Sequence, residues 1–421
     1  MNKPTLSKLI CILFVFCAAT AIASPAQVLT TLHSFASSPS DGRNPYAGLI
    51  QASDGNLYGT TVDGGATDYG TVFKITPSGT LTTLYSFCYQ TSCANGNTPY
   101  SGLIQGSDGN FYGTTTYDSS DDGGQKGTIF RITPSGAHTT LYRFCSLAGC
   151  SDGALPNELV QGSDGNFYGT TEFGGAGHCA AGCGTVFKIR PSGTLTTLHV
   201  FAGSDGSGPF AGLVQATDGN FYGTTGGGGA SGNCSNGCGT VFQITPSGTL
   251  TTLYSFCSQA NCADGVGPIG LVQASDGNFY GTTASGGNGG IYGLGTVFKI
   301  TPSGALTTLY SFCSQAGCPD GAAPLAGVIQ ARDGNFYGTT SEGGPGHCGG
   351  GCGTAFKITP SGVLTTLYSF DISDGDYPVG GLIQARDGNF YGTTSSLGPN
   401  GYGTVFRLVL PRPCIVCPSV E

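Results

Sequence analysis

A six-residue motif recurs seven times along the chain and limits what the chain can fold into. It reads Asn, Phe or Leu, Tyr, Gly, Thr, Thr, at a spacing of 54 to 58 residues. Its tyrosines are Tyr58, Tyr112, Tyr168, Tyr222, Tyr280, Tyr337 and Tyr391. Self-similarity at such a period is typical of repeat architectures, in which each copy is one supersecondary unit. The sequence therefore predicts seven copies of one unit rather than several unrelated domains.

Each copy is predicted to form four short β-strands separated by turns. In the first copy the strands are expected at residues 47–52, 56–61, 70–76 and 81–87. Asp54 and Gly55 favour a tight hairpin turn between the first two strands, while Pro77 and Gly79 favour a turn between the last two. The 75 glycines and the 9% of charged residues agree with a β and turn composition.

Two architectures accept a four-stranded repeat of this period: a propeller, which closes on itself, and a β-solenoid, which does not. The chain begins with a lone copy of the outer strand, residues 29–35, and its last strand, residues 403–410, has no outer strand after it. In a ring these two segments can pair, which removes open sheet edges. We therefore predict an all-β fold, a seven-bladed β-propeller closed by the N-terminal strand. Tyr58, Phe73 and Phe87 are expected to pack between adjacent blades.

The first 23 residues have the three parts of an export signal. Lys3 and Lys8 precede an apolar run, and small residues at Ala21 and Ala23 suit cleavage before Ser24. The predicted divisions are a signal peptide at residues 1–23, the propeller at 24–410 and a short tail at 411–421. We expect a secreted, periplasmic or cell-surface protein with no membrane insertion after signal cleavage. An uncleaved anchor is the alternative, but the apolar run is short for a spanning helix.

The sixteen cysteines outside the signal all fall into close local pairs. The pairs are Cys88 with Cys93, Cys145 with Cys150, Cys179 with Cys183, Cys234 with Cys238, Cys257 with Cys262, Cys313 with Cys318, Cys348 with Cys352, and Cys414 with Cys417. An even number, local pairing and an export signal indicate disulfides formed in an oxidising compartment. The alternative is a metal held by two pairs that meet in space. We expect disulfides, and no metal or other cofactor.

The repeats resemble the GloVer tandem-repeat proteins, a bacterial exported family. The resemblance rests on the string Gly-Thr-Val-Phe-Lys-Ile-Thr-Pro-Ser-Gly-Thr-Leu-Thr-Thr-Leu-Tyr-Ser-Phe at residues 70–87 and on its near copies through Leu410. It covers almost the whole mature chain and implies no established activity. The chain differs from anchored members of the family, because residues 411–421 contain no hydrophobic helix and no basic cluster. A looser similarity to streptogramin-lyase propellers supports the fold only.

The long connections between strands vary among the copies and are predicted to share one face of the ring, which we call the loop face. Loops on a rigid scaffold are where binding usually resides. Asp-Gly pairs recur in one class of these loops and offer a ring of carboxylates for Ca²⁺. The carboxylates are Asp41, Asp152, Asp205, Asp264, Asp320 and Asp374. The alternative is that each is a turn residue bonding its own backbone.

Histidine chemistry is possible at two places only. Of five histidines, only His178 and His347 fall in long loops, and Glu172 and Glu342 precede them. A histidine beside a carboxylate can act as a general base or hold a metal. The two loops belong to the third and sixth copies, far apart on a seven-membered ring. We therefore expect no catalytic residue, and these four side chains remain weak binding candidates.

The charge pattern and the symmetry favour a binding protein. A net charge of −9 with no run of Lys or Arg predicts no basic surface for binding nucleic acid. The first hypothesis is an exported, monomeric, non-catalytic binding or scaffold module for an extracellular glycan or a protein partner. The alternatives are a propeller lyase or hydrolase with its site at the channel mouth, and a purely structural surface protein.

Overall fold

The chain forms seven antiparallel sheets arranged as the blades of a ring. The computed structural model describes residues 27–88, 93–118, 126–175, 179 and 181–411. The predicted signal peptide and residues 412–421 of the predicted tail lie outside that part. We number the blades 1 to 7 in the order of their motif tyrosines. The all-β, seven-bladed prediction is confirmed.

Each blade has a first strand at the channel, then a second, a third and an outer strand. The first strands are Ile50–Gln51, Ile104–Gln105, Val160–Gln161, Val214–Gln215, Val266–Gln273, Ile329–Gln330 and Ile383–Gln384. The second strands are Leu57–Thr61, Phe111–Thr115, Phe167–Phe173, Phe221–Thr225, Phe279–Ser285, Phe336–Thr340 and Phe390–Thr394. The third strands are Thr71–Ile75, Thr128–Ile132, Thr185–Ile189, Thr240–Ile244, Thr296–Ile300, Thr354–Ile358 and Thr404–Val409.

The outer strands complete the blades. They are Leu81–Ser86, His138–Arg143, Leu195–Val200, Leu250–Ser255, Leu306–Ser311 and Leu364–Ser369 in blades 1 to 6, and Val28–Ser34 in blade 7. Shorter elements lie in the loops. They are the strands Gly42–Arg43, Asp63–Gly64 and Ala154–Pro156 and the 3-10 turns Ala148–Cys150, Ala260–Cys262 and Gly290–Tyr292. No helix in the described ranges is long and apolar enough to cross a membrane.

The first strands are shorter than predicted in most blades. Blade 1 pairs only at Ile50 and Gln51, although residues 47–52 were expected to form the strand. Five blades have five residues between the loop proline and the glutamine, whereas blades 3 and 5 have four. In those two blades the proline also pairs with the second strand, at Pro156↔Thr171 and Pro268↔Thr283. The extra residue therefore interrupts the ladder in the other five.

The N-terminal strand closes the ring. Val28–Ser34 pairs antiparallel with Thr404–Val409, from Val28↔Val409 to Ser34↔Thr404. The amide of Phe35 then donates to the carbonyl of Gly403 at 3.0 Å. The predicted pairing of the two chain ends is thus confirmed. It makes blade 7 a full four-stranded sheet and covers the outer edge of Thr404–Val409.

A ring of glutamines links each blade to its neighbour. The side-chain oxygen of each glutamine accepts a hydrogen bond from a turn amide of the preceding blade, at 2.8 to 3.0 Å. The acceptors are Gln105, Gln161, Gln215, Gln273, Gln330, Gln384 and Gln51. The last of these bonds runs from Arg386 in blade 7 to Gln51 in blade 1. The set is therefore a closed circle.

The apolar core lies between blades rather than within them. The motif tyrosine of one blade packs on the first phenylalanine of the next, as Tyr58 does on Phe111, with ring centroids 3.9 to 4.3 Å apart in six interfaces. In the seventh, Tyr391 packs with Leu57. Further out, Phe87 meets Phe130 at 5.1 Å. The predicted packing role of these aromatic residues is confirmed.

The hairpin turns form a second repeated network on the opposite face from the long loops. In blade 1 the carboxylate of Asp54 accepts hydrogen bonds from the Asn56 amide at 3.0 Å and the Tyr58 hydroxyl at 2.8 Å. Burial alone would raise the pKa of Asp54, but these hydrogen bonds outweigh it and hold the pKa below its ordinary value. The same holds at Asp108, Asp164, Asp218, Asp276, Asp333 and Asp387.

We expect Phe35→Ala to destabilise the ring at its closure. Phe35 is fully buried and its ring lies 5.4 Å from that of Phe73 in blade 1. The loss should lower the free energy of unfolding by about 3–5 kcal/mol, because a cavity replaces the ring. Urea unfolding measures it, with Val28→Ala, at an exposed position, as the control. Equal stability of the two variants would contradict the closure.

We also expect the thermal midpoint to fall as the pH drops from about 5 towards 2. The turn carboxylates have folded pKa values below their unfolded values, so their stabilisation is present above the ordinary pKa and is lost as pH falls through the lowered one. Asp276→Asn should make the fall shallower, because one such carboxylate is gone. A midpoint that stays constant down to pH 2 would show that the turn network is not a source of stability.

Candidate functional site

Residues of all seven first strands, and of the segments just before them, converge on one cavity of about 560 Å³. This cavity is the central channel of the ring. It is lined mainly by aliphatic side chains and by glycine backbone, with Tyr46 and Tyr100 towards the loop face. A cavity of this size lies within the usual range for small-molecule sites, roughly 300–1,000 Å³. The channel is therefore the first place to look for function.

One position of the repeat breaks the sevenfold symmetry inside this channel. It is the residue three places before the repeated glutamine of each copy, and it is glycine in six blades and glutamate in blade 3. The seven residues are Gly48, Gly102, Glu158, Gly212, Gly270, Gly327 and Gly381. Space explains part of this pattern, since a Cβ on Gly48 would come within 3.0 Å of the Gly381 carbonyl oxygen. Glu158 is thus the single carboxylate among the described residues that line the cavity.

Glu158 lies between the glycines of the two neighbouring blades. A Cβ on Gly102 would meet its Oε1 at 3.3 Å, and a Cβ on Gly212 would meet its Cβ at 3.1 Å. The open channel leaves the side chain accessible to solvent, yet the surrounding protein atoms raise the pKa of the carboxyl group by desolvation. The polar side chain next to it in sequence is engaged elsewhere: Nδ2 of Asn157 donates to the Pro209 carbonyl at 2.6 Å.

The channel mouth carries a ring of variable apolar residues. They follow the loop proline of each copy, and six of the seven are aromatic or aliphatic. These are Tyr46, Tyr100, Phe210, Ile269, Leu325 and Val379, with Asn157 in blade 3. The rings of Tyr46 and Tyr100 lie 5.1 Å apart, and about half of the Phe210 surface is exposed, at 53%. We call Tyr46, Tyr100, Phe210 and Leu325 the rim, because all four are exposed to solvent.

The six predicted calcium carboxylates lie apart from the channel. Each lies against the outer strand that precedes it in the chain. Asp152 accepts hydrogen bonds from the Tyr142 hydroxyl at 2.9 Å and the Ser146 amide at 3.0 Å. The other contacts join Asp41 to His33, Asp205 to His199, Asp264 to Tyr254, Asp320 to Tyr310 and Asp374 to Tyr368. A calcium ion would have to compete with these hydrogen bonds. The geometry supports the turn role, and the calcium site stays a prediction.

The two candidates of blade 6, His347 and Glu342, have other partners. His347 Nδ1 lies 3.0 Å from a carboxylate oxygen of Asp371, so its carboxylate neighbour is not Glu342. Glu342 instead faces the Tyr377 hydroxyl at 3.5 Å. Glu172 is half-buried in blade 3, where desolvation raises its pKa. His178 lies outside the described residues.

Seven disulfides lie in the long loops, as the spacing predicts. They join Cys88–Cys93, Cys145–Cys150, Cys179–Cys183, Cys234–Cys238, Cys257–Cys262, Cys313–Cys318 and Cys348–Cys352. Blade 4 has one disulfide between its second and third strands and another after its outer strand, which brings the sulfurs of Cys234, Cys238 and Cys257 within 4.8 Å of one another. All three are bonded in disulfides, so they offer no thiolate to a metal in this state.

The eighth predicted disulfide falls in the tail of the chain. Its two cysteines, Cys414 and Cys417, lie outside the described residues, which end at residue 411. The bond between Cys414 and Cys417 is therefore not among the seven that the structure contains, and it stays a prediction.

Comparisons with known proteins agree with this architecture. The family model described as the Gloeobacter/Verrucomicrobia repeat matches residues 19–156, 127–349 and 233–412. The chain belongs to this family. The resemblance found in the sequence is thereby confirmed. No curated protein matches the chain.

A solved structure shares the fold of this Gloeobacter/Verrucomicrobia repeat protein. The extracellular domain of the one-component system BT4673 from B. thetaiotaomicron is similar at a TM-score of 0.55 and 13% identity. The match covers 92% of this chain and 43% of that one, so the chain spans less than half of its length. XC5397, a gluconolactonase from Xanthomonas campestris, matches at a TM-score of 0.40 and 15% identity over 92% and 100% of the two chains. The first likeness shows the fold alone, and the second is too low to bear on function.

The rim and Glu158 were not found from the sequence, although the sequence carries a signal for both. Aligning the seven copies on Gln51 and its equivalents places Glu158 opposite six glycines. The same alignment shows that the residue after the loop proline is the most variable apolar position. Both signals lie in differences between the copies, whereas the fold is encoded in what the copies share.

We expect non-reducing peptide mapping to recover the seven local pairs, and a bond between Cys414 and Cys417 as well. Each of the seven closes a loop of five or six residues, which contributes about 2 kcal/mol in the chain-entropy model. Blade 4 is the critical case, because Cys238 and Cys257 lie near each other in different pairs. A cross-link between these two, or zinc bound to free thiols, would show that the local pairing is wrong.

Proposed function

We propose that this repeat protein is an exported, non-catalytic binding module whose partner is an extracellular glycan or protein. The partner docks on the loop face at the channel mouth. The observation that supports this is the rim. The only large exposed apolar side chains that converge on the cavity, among the described residues, occupy the position that differs most between otherwise equivalent blades.

The arrangement suits binding for physical reasons. Aromatic side chains supply large contact area at low conformational cost and are enriched where proteins bind partners. The disulfides hold the surrounding loops, so little entropy is lost when a partner docks. The same disulfides support export, since such bonds persist in oxidising compartments.

One observation favours the alternative of a channel-mouth lyase or hydrolase. Glu158 has a raised pKa inside a cavity, and perturbed carboxyls of this kind often serve as general acids or bases. No described histidine, lysine or second carboxylate lines the cavity beside it. Turnover of a polysaccharide or lactone that Glu158→Gln abolishes at unchanged melting temperature would show that the protein is an enzyme.

We expect a rim variant to lose binding. Tyr46→Ser, Tyr100→Ser and Phe210→Ser combined should weaken the partners found by glycan array and pull-down by about tenfold or more, because exposed aromatic anchors carry much of an interface. The screen is run with and without Ca²⁺. Folding should be little affected, since the three side chains are exposed.

Two control variants accompany the rim variant. Val363→Ser removes an exposed apolar side chain from the face of the hairpin turns, opposite the loop face. His347→Ala removes an exposed side chain from the loop face. Both should bind as the wild type does. Equal losses in the rim and Val363 variants would place the partner elsewhere. A wild type that binds nothing in either screen would favour the structural surface protein.

A further inference from the structure

The charge of Glu158 has no protein partner. No basic residue lines the described part of the cavity, and no hydrogen bond or ion pair joins this carboxylate to a described residue. Its nearest neighbours on either side are Gly102 and Gly212, which have no side chains to offer. An uncompensated charge in a partly desolvated site is costly. Besides water, a donor for this carboxylate has to come from a ligand that enters the channel.

The surroundings do not suit a bare metal ion. Calcium takes six to eight oxygen ligands and magnesium six. The channel offers one carboxylate, and two of the carbonyls near it already accept hydrogen bonds. The Thr114 hydroxyl donates to the Asn157 carbonyl and the Thr170 hydroxyl to the Ala211 carbonyl, both at 3.2 Å. A ligand with one positive charge and its own hydrogen-bond donors matches this site better.

The walls and rim suit an apolar body attached to that charge. The cavity is lined by partly exposed aliphatic residues such as Ile50, Ile104 and Val214, and Tyr46 and Tyr100 stand at its mouth. Aromatic faces attract organic cations. Charge and apolar surface thus lie in one cavity.

We propose that the ligand of this channel is an organic cation, an ammonium group on an apolar or aromatic body, with Glu158 as its counter-ion. The proposal rests on the proposed function, because it names the chemical group by which the partner enters the channel. The ammonium donates hydrogen bonds to the Glu158 carboxylate, and the body lies against the aliphatic wall and the rim. No covalent step is involved.

The site makes binding depend on pH. The cation binds the ionised carboxylate, whose pKa is raised, so affinity falls as the pH drops through that raised value. Few other groups interfere, since Tyr46 and Tyr100 are the other titratable side chains of the described lining, and burial raises the pKa of Tyr100 further above neutrality. The pH below which binding weakens therefore reports the protonation of Glu158.

The test compares two probes of the same shape, 2-phenylethylamine and the neutral 2-phenylethanol, by calorimetry on the full mature chain. The wild type should bind the amine about tenfold or more tightly than the alcohol, as a charge-assisted hydrogen bond predicts. Glu158→Gln keeps the shape, removes the charge and should abolish that preference. Asp371→Asn removes a carboxylate of the loop face outside the cavity and should retain it.

Glu158→Gly restores the glycine of the other six blades and separates folding from binding. Both Glu158 variants should melt at or above the wild-type temperature, because an unpartnered charge has been removed. Equal binding of amine and alcohol by the wild type, or an amine preference that survives in Glu158→Gln, would overturn the proposal. Calcium binding that is lost in Glu158→Gln would replace it with a metal site. If the wild type shows no preference for the amine but the rim variant loses partner binding, the organic-cation proposal fails and the proposed function stands. If the rim variant binds its partner as the wild type does, the proposed function fails.

Discussion

The hydrogen bond between a turn amide and the glutamine of the next blade is the contact on which the rest of the ring depends. Each glutamine fixes two turns at once: Gln51 accepts from the Arg386 amide of blade 7 and donates to the Gly55 carbonyl of its own turn at 2.9 Å. The bond from blade 7 joins residues 335 positions apart. A solenoid would leave one glutamine without its neighbour, so the full set of seven requires a closed circle.

That scaffold determines where function can lie. The tyrosines, glutamines and turn carboxylates of every copy are used in contacts between or within blades, so a residue shared by all seven copies is occupied with structure. Specific chemistry is left to positions where the copies differ. In the described residues these positions are the long loops, held by disulfides, and the segment from the loop proline to the channel.

The features that could be predicted from the sequence are those that the copies share, and the features that could not are those in which the copies differ. Strand positions, ring closure and local disulfides could be predicted, because turn chemistry, periodicity and cysteine spacing are local or repeated signals. The shortened first strands could not, because one residue more or less between Pro45 and Gln51 decides how far a strand can pair. The Asp371 neighbour of His347 was missed for a similar reason: the two lie in different loops, 24 residues apart, that meet only in the folded blade.

A tandem repeat can build an asymmetric site only by departing from itself, and the channel shows why one departure is enough. The seven equivalent positions meet around a single cavity, so a carboxylate at any one of them faces the whole space. Blade 3 combines this substitution with a segment one residue shorter than in most blades, and its Asn157 side chain is tied to the Pro209 carbonyl of blade 4. The close approach of Gly212 to the Glu158 side chain leaves no room for a second substituent next door. Two adjacent carboxylates would also repel each other in this partly desolvated channel. A single glutamate among six glycines is therefore the arrangement that gives the cavity one charge and an orientation.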